Sequence, residues 1–276
     1  MKYSVSTYSF GRYASRGVPY MIDEAARLGF DGIEYCLDGE FTDSELVCFA
    51  RRARDAGVVP VCSCVGAEFL RCEDLDRERL NVEREVRRAA LLGAPLLRHD
   101  VSNGYPGKLT GRDYEDALPA LAAACRRITE YARGFGVRTC SENHGFFSQD
   151  ARRVLSLYKA VGNGNFGLLC DIGNFMCADG DPVESTALVA PYAVHVHAKD
   201  FYLYRGKDPQ GSGWFKTRGG NYLKGAVIGD GDARAAESMI ALRSAGYGGF
   251  VSVEFEGGED NLVGIARGLE FLTNVK

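Results

Sequence analysis

The 276-residue chain has four histidines and a single tryptophan, and it lacks the features that place many sequences at a glance. No apolar run approaches the roughly 20 residues that cross a bilayer. The opening stretch "MKYSVSTYSFGRY" has no apolar core of the kind a signal peptide carries. Positive charge is not in excess. The formal net charge is −4, which argues against broad attraction to nucleic acid or to an anionic membrane. No G-x-G-x-x-G follows the first β-rich run, which counts against a doubly wound dinucleotide-binding sheet. No Pro- or Ser-rich linker divides the chain, so one domain is expected over residues 1–276. The nine cysteines are odd in number and scattered. "CSC" (Cys62, Cys64) has the spacing of neither a zinc knuckle nor a redox pair, and no second cluster completes it. Cys36, Cys62, Cys140 and Cys170 lie within or at the ends of apolar runs, where free thiols act as small hydrophobes. A reduced, cytoplasmic protein is the expectation.

What the chain does have is one unit repeated. An amphipathic run, a glycine, a few residues and a short β-rich run recur in "ARLGFDGIEYC", "RDAGVVPVCSC", "LLGAPLLRHD", "RGFGVRTCSEN" and "RSAGYGGFVSVEFEG". The glycine suits the left-handed position just past a helix C-terminus. Between these segments the period is helical: Val82, Val86, Ala89 and Ala90 share a face, as do Leu118, Leu121, Cys125, Ile128 and Ala132. Strands are expected near 3–8, 32–36, 59–64, 95–100, 138–142, 166–171, 193–199 and 250–255. Helices are expected near 18–29, 43–56, 75–92, 112–134, 149–161, 182–190, 233–245 and 260–273. Eight strand–helix pairs in strict alternation predict an α/β protein, a single (β/α)8 TIM barrel, and the length suits one. The exception to short connections is residues 200–231, a long loop after the seventh strand with no helix of its own, which reads as a functional lid or a disordered segment.

Rare or acidic residues fall at the ends of four successive strands. The fifth strand ends in "SENHG" (Glu142, His144), the sixth in "LLCDIGN" (Asp171), the seventh is "VHVHAKD" (His195, His197), and the eighth is "FVSVEFEG" (Glu254, Glu256). Alternation sends the valines of the last two outward to the helices and turns His195, His197, Ser252 and Glu254 toward the barrel axis. Carboxylates gathered at one rim repel one another unless a cation neutralises them. Glu142, Asp171, His197 and Glu254 therefore read as ligands of one divalent metal. An oxygen-rich set with one imidazole favours Mn²⁺ or Mg²⁺, with Co²⁺ or Zn²⁺ as the other options. His195, one pleat deeper, reads as a residue supporting the metal ligands or the core.

These four motifs, in this order on successive strands, resemble the xylose isomerase-like TIM barrel family of sugar and sugar phosphate isomerases and epimerases. The family also includes inosose and dehydroshikimate dehydratases and the endonuclease IV enzymes. "GFDGIEYC" and "GDGDARAAESMIALRSAGYGGFVSVE" resemble its second strand and its last βα unit. In the ketose epimerase branch one metal is held by Glu, Asp, His and Glu from these strands. The resemblance so implies the same set here, with Glu142 and Glu254 as the acid–base pair. Asn174 departs from that branch, which has a substrate-contacting histidine three residues after the aspartate.

The function this implies is a metal-dependent isomerase or epimerase of a sugar or keto-polyol, moving a proton through a metal-stabilised enediolate. The alternative is a dehydratase, or β-eliminating lyase, on a keto-sugar or keto-cyclitol, since it begins with the same proton abstraction. A non-catalytic metabolite-binding barrel is the third class. Endonuclease IV chemistry, which uses several zinc ions and many histidines, fits poorly with four histidines and a negative chain. The expected partner is a small sugar or polyol, with a homo-oligomer as the one protein–protein option.

Other residues are candidates for substrate contact: His144 and Lys199 by inward parity, His99 at the end of the fourth strand, Asn174, and Trp214 as a cover for a sugar ring. Plainer readings stand beside several of the polar residues. Lys199 could pair with Asp200 at the surface, Trp214 could be an oligomer contact, Glu34 could touch substrate or bridge barrel strands, and Glu256 could cap a helix or pair with a lysine. The long loop carries Arg205, Lys207, Lys216, Arg218 and Lys224, which read either as a grip for a phosphate or carboxylate or as a solvated flap.

Overall fold

A computed structural model describes residues 1–102 and 114–275. Its strands are β1 (Lys2–Ser6), β2 (Gly32–Cys36), β3 (Val59–Val65), β4 (Leu96–His99), β5 (Arg138–Glu142), β6 (Phe166–Asp171), β7 (Ala193–Ala198), β8 (Asp200–Tyr204), β9 (Phe215–Lys216), β10 (Tyr222–Ala226) and β11 (Phe250–Val253). Strands β1 to β7 and β11 close a barrel in which β1 pairs in parallel with both β2 and β11. These are the eight strands expected from the repeat.

The helices are α1 (Val18–Leu28), α2 (Asp43–Asp55), α3 (Leu75–Leu92), α4 (Tyr114–Arg133), α5 (Ala151–Val161), α6 (Pro182–Val189), α7 (Ala235–Ser244) and α8 (Asn261–Asn274). Residues 112 and 113, expected to begin the fourth helix, lie outside the described residues. Local chemistry fixes where the helices start. Thr42 and Glu45 form a reciprocal capping box on α2, and Asp74, Asp150, Asp181 and Asp260 each accept from a first-turn amide of α3, α5, α6 and α8. Each such cap is worth about 1 kcal/mol. The repeat glycines stop the helices: Gly29 and Gly93 sit at φ of 88° and 73°, a left-handed conformation in which a Cβ is strained.

The alternation expected for the last two barrel strands holds. Val196 and Ala198 of β7 and Val251 and Val253 of β11 are completely buried in the main core between barrel and helices. Burial of a valine of this kind contributes roughly 1.5–3 kcal/mol. The opposite face of these strands, turned inward, is polar: Ser4 and Ser252 share a 2.7 Å hydrogen bond, and His195 and Glu34 lie in the same buried layer.

The connection after β7 is more ordered than its composition suggests. Strands β8, β10 and β9 form a small antiparallel sheet in that order. Asp200 ties its two ends together, its carboxylate accepting from the backbone N–H of Phe201, Gly229, Gly231 and Ala233 at 2.9–3.1 Å. Asp179 anchors the distal turn through Thr217 and Asn221.

Candidate metal centre and active site

Strand ends β5, β6 and β7 and the residue just past β11 bring Glu142, Asp171, His197 and Glu254 together. One donor atom from each lies within 4.8 Å of the other three. All four are buried. His197 is central: its Nδ1 is 3.3 Å from Glu254 Oε2, 3.5 Å from Glu142 Oε1 and 3.8 Å from Asp171 Oδ2. These edges suit donors that each stand about 2.1 Å from a common centre.

Each ligand candidate is oriented by a neighbour. Glu34, in the β2 strand across the barrel, takes His197 Nε2 at 2.9 Å and His195 Nε2 at 2.7 Å on the same oxygen. That contact turns His197 Nδ1 toward the acids, the usual way a carboxylate aims a metal-binding imidazole. Asp171 Oδ1 accepts from the backbone N–H of Gly173 and Asn174 at 2.8 and 2.9 Å, which leaves Oδ2 for the centre. Asn143 stitches the ends of β5 and β6, donating to Asp171 O and accepting from Asp171 N. Glu142 is held by Asn174 Nδ2 at 2.9 Å and by Arg98 at 2.5 Å.

The electrostatics call for positive charge at this point. Burial disfavours ionisation throughout, yet the Arg98 guanidinium and His197 hold Glu142 well below the usual carboxylate range. Burial together with the charges of Glu142 and Glu254 pushes Asp171 up to about 7, against the pull of Lys199. Glu254, Glu34 and Glu142 raise His197 well above the ordinary imidazole value in spite of its burial. Asp171 Oδ2 and His197 Nδ1 make no hydrogen bond among the described residues. Buried carboxylate oxygens and an imidazole nitrogen converging in this way suit a divalent cation, which would take the place of the proton on His197 Nδ1. These four residues could hold one.

Lys199 does not pair with Asp200. Its ammonium turns inward, as parity requires, to Glu254 Oε2 at 2.8 Å, Glu256 Oε1 at 3.0 Å and Asp171 Oδ2 at 3.3 Å, while Asp200 faces the loop amides. Glu256 thus pairs with a lysine, and that lysine is buried in the centre.

A cavity of about 180 Å³ opens above these groups, lined by Glu142, His144, His197, Lys199, Glu254 and Arg98 among others. His144 reaches it with Nδ1 3.0 Å from Asp100. Asn174 lines the adjoining outer space together with Phe146, Phe201 and Phe215. His99, expected at the substrate, points the other way. Its ring is completely buried against Phe69 and Phe166, with Nδ1 2.9 Å from its neighbour's carbonyl, so it is a core residue. Arg98 takes the inward place. Alternation alone left Arg98, His99 and Asp100 open; the register Cys64–Arg98–Cys140 across three strands decides it.

Trp214 is also misplaced as a cover. Its ring packs on Tyr204 at 5.9 Å and its N–H donates to Gln210 O, within the small sheet's own loop, while Phe201 and Phe215 face the outer cavity. The loop cations do not grip the centre. Arg218 is spent on Asp150 and on the Phe146 carbonyl, and Lys216 lies over the Tyr222 ring at 5.6 Å.

No helix among the described residues is long and apolar enough to cross a membrane. A family model described as the xylose isomerase-like TIM barrel matches residues 22–275. Solved structures with the same architecture include three of contrasting description. The probable 3-DHS dehydratase AsbF of Bacillus anthracis is 19% identical with a TM-score of 0.76, covering 100% of both chains. The D-psicose 3-epimerase of Clostridium cellulolyticum H10 with D-tagatose is 16% identical with a TM-score of 0.75, covering 100% of this chain and 99% of that one. A xylose isomerase-like TIM barrel protein from Mycobacterium smegmatis in complex with magnesium is 19% identical with a TM-score of 0.75, covering 99% and 96%. At such identities the likeness is one of fold. With its family model matched over almost the whole length, the chain belongs to the xylose isomerase-like TIM barrel family.

Proposed function

We propose that this protein is a divalent-metal-dependent isomerase or epimerase of a sugar or keto-polyol. The observation that carries the reading is the placement of two ionised glutamates, Glu142 and Glu254, on the wall of one cavity beside His197. A divalent ion held by Glu142, Asp171, His197 and Glu254 would supply Lewis acidity, making the C–H beside a substrate carbonyl easier to ionise. Mn²⁺ or Mg²⁺ suits the oxygen-rich donor set, and one structural neighbour is described with magnesium.

The chain's own part is proton transfer. Burial opposes it, but His197 and Lys199 lower Glu254 to about 2, so it is ionised at neutral pH and able to accept a proton from carbon. Return of that proton by Glu254 to the neighbouring carbon gives isomerisation. Delivery from Glu142, on the strand three places round the barrel, gives epimerisation once Glu142 has been protonated. Arg98 and Asn174 fix Glu142 for that role, and Lys199 supplies a buried positive charge beside the reacting oxygens.

Elimination of water is the second reading, and one observation favours it. Asn174 stands where the ketose epimerase branch carries its substrate-contacting histidine, and here its amide is spent on Glu142. The experiment that separates the two is incubation of the Mn²⁺-loaded protein with panels of ketoses and keto-cyclitols in deuterated water. Carbon-bound deuterium without loss of water supports isomerase or epimerase activity; a new enone or diketone supports the lyase. Turnover of neither panel contradicts both.

A further inference from the structure

Two thiols line the same cavity as the acids. Cys36, at the end of β2, and Cys64, in β3, are partners in register, and both line the cavity with His197 and Glu254. One layer deeper, Glu34 sits two residues before Cys36 on the same strand, so both face inward. A carboxylate oxygen of Glu34 and the sulfurs of Cys36 and Cys64 lie within 4.8 Å of one another.

Glu34 is completely buried. Its Oε2 serves both His195 and His197, but its Oε1 has no hydrogen-bond partner among the described residues. A buried carboxylate oxygen left without a partner is costly. A positive partner on the thiol side would remove that cost. A disulfide between Cys36 and Cys64 would not, because it brings no charge to Oε1.

We propose that Glu34, Cys36 and Cys64 form a second cation site, for a thiophilic divalent ion of the Zn²⁺ class, beside the acid cluster. Two sulfurs and one carboxylate make a softer donor set than the four acid-cluster residues, so the two sites select different ions. Three protein donors would leave a tetrahedral ion one position for a bound molecule, as in zinc sites that act on a ligand rather than only hold structure, and two of the three donors line the cavity. The sulfurs bind as thiolates, each releasing its proton to solvent.

The test uses the full chain, stripped of metal and kept reduced, titrated with Co²⁺ alone. A thiolate-to-cobalt charge-transfer band that saturates within two equivalents is expected, since the acid cluster can take Co²⁺ as well. It is lost in Cys36→Ser and in Cys64→Ser, each checked for folding by circular dichroism, and it survives in Asp171→Asn, which disables the acid cluster. Survival there separates this site from the proposed catalytic centre. Absence of the band from the folded wild-type protein, or its persistence in both serine variants, overturns the proposal. A second measurement needs no variant: Zn²⁺ should slow alkylation of Cys36 and Cys64, mapped by mass spectrometry, by more than about tenfold while sparing the exposed Cys48. Alkylation of Cys36 and Cys64 that Zn²⁺ leaves unchanged, or slows no more than that of Cys48, overturns it as well.

Discussion

His197 Nε2 lies 2.9 Å from Oε2 of Glu34, and this contact from across the barrel points the other ring nitrogen at three carboxylates. The pair links the layer inside the barrel to the centre at its mouth. Substituting Glu34 with Gln removes the negative acceptor and frees the ring to turn. Mn²⁺ affinity measured by calorimetry should fall by about 10- to 100-fold. An unchanged affinity would show that Glu34 does not orient the ligand.

Glu254→Gln keeps an oxygen that can coordinate but removes the base. Turnover on whichever substrate the deuterium screen identifies should drop by roughly 10²- to 10⁴-fold, with Mn²⁺ binding largely kept. Activity near that of the wild type would refute the assigned role.

Lys199 contributes differently with and without metal. Its ammonium contacts Asp171, Glu254 and Glu256, and those charges raise it well above its ordinary value despite burial. Lys199→Met leaves these acids uncompensated, which should cost the metal-free protein about 3 kcal/mol. Mn²⁺ should restore much of that loss. Thermal melts of the variant with and without Mn²⁺ check the prediction, and a loss of equal size in both states contradicts it.

His99 makes the fold sensitive to acid. Burial between Phe69 and Phe166 lowers its value from 6.5 to about 4, so between these values the unfolded chain binds a proton that the folded chain refuses. The stabilisation from this group is complete above about 6.5 and is lost as pH falls toward 4, a change of roughly 3 kcal/mol. Denaturant midpoints followed over that range should fall less steeply in His99→Leu. An identical pH profile would rule out a buried neutral His99.

The barrel was legible in the sequence because its signals are local and repeated. Gly57, Gly136 and Gly246 all have positive φ, as Gly29 and Gly93 do, so each repeat announces where a helix ends and a strand begins. The acids and His197 were legible because β7 and β11 alternate cleanly between valine and polar residues. Strand β4 has no such alternation: Leu96, Leu97, Arg98 and His99 look alike from either face, and only its register with β3 and β5 turns Arg98 inward. The small sheet after β7 was missed for a related reason. Its strands are short, and what holds them is the long-range set of bonds from Asp200 and Asp179 rather than local pattern. Cys36 read as core and Cys64 as part of no metal motif because nothing in one strand reveals that its neighbour also carries a thiol in register.

The most direct test of the central claim is an anomalous-difference map from crystals grown with Mn²⁺. One peak within about 2.0–2.3 Å of Glu142, Asp171, His197 and Glu254 is predicted. A map with no peak at that point, in crystals whose protein is folded and saturated with Mn²⁺, would contradict the metal centre and the chemistry built on it.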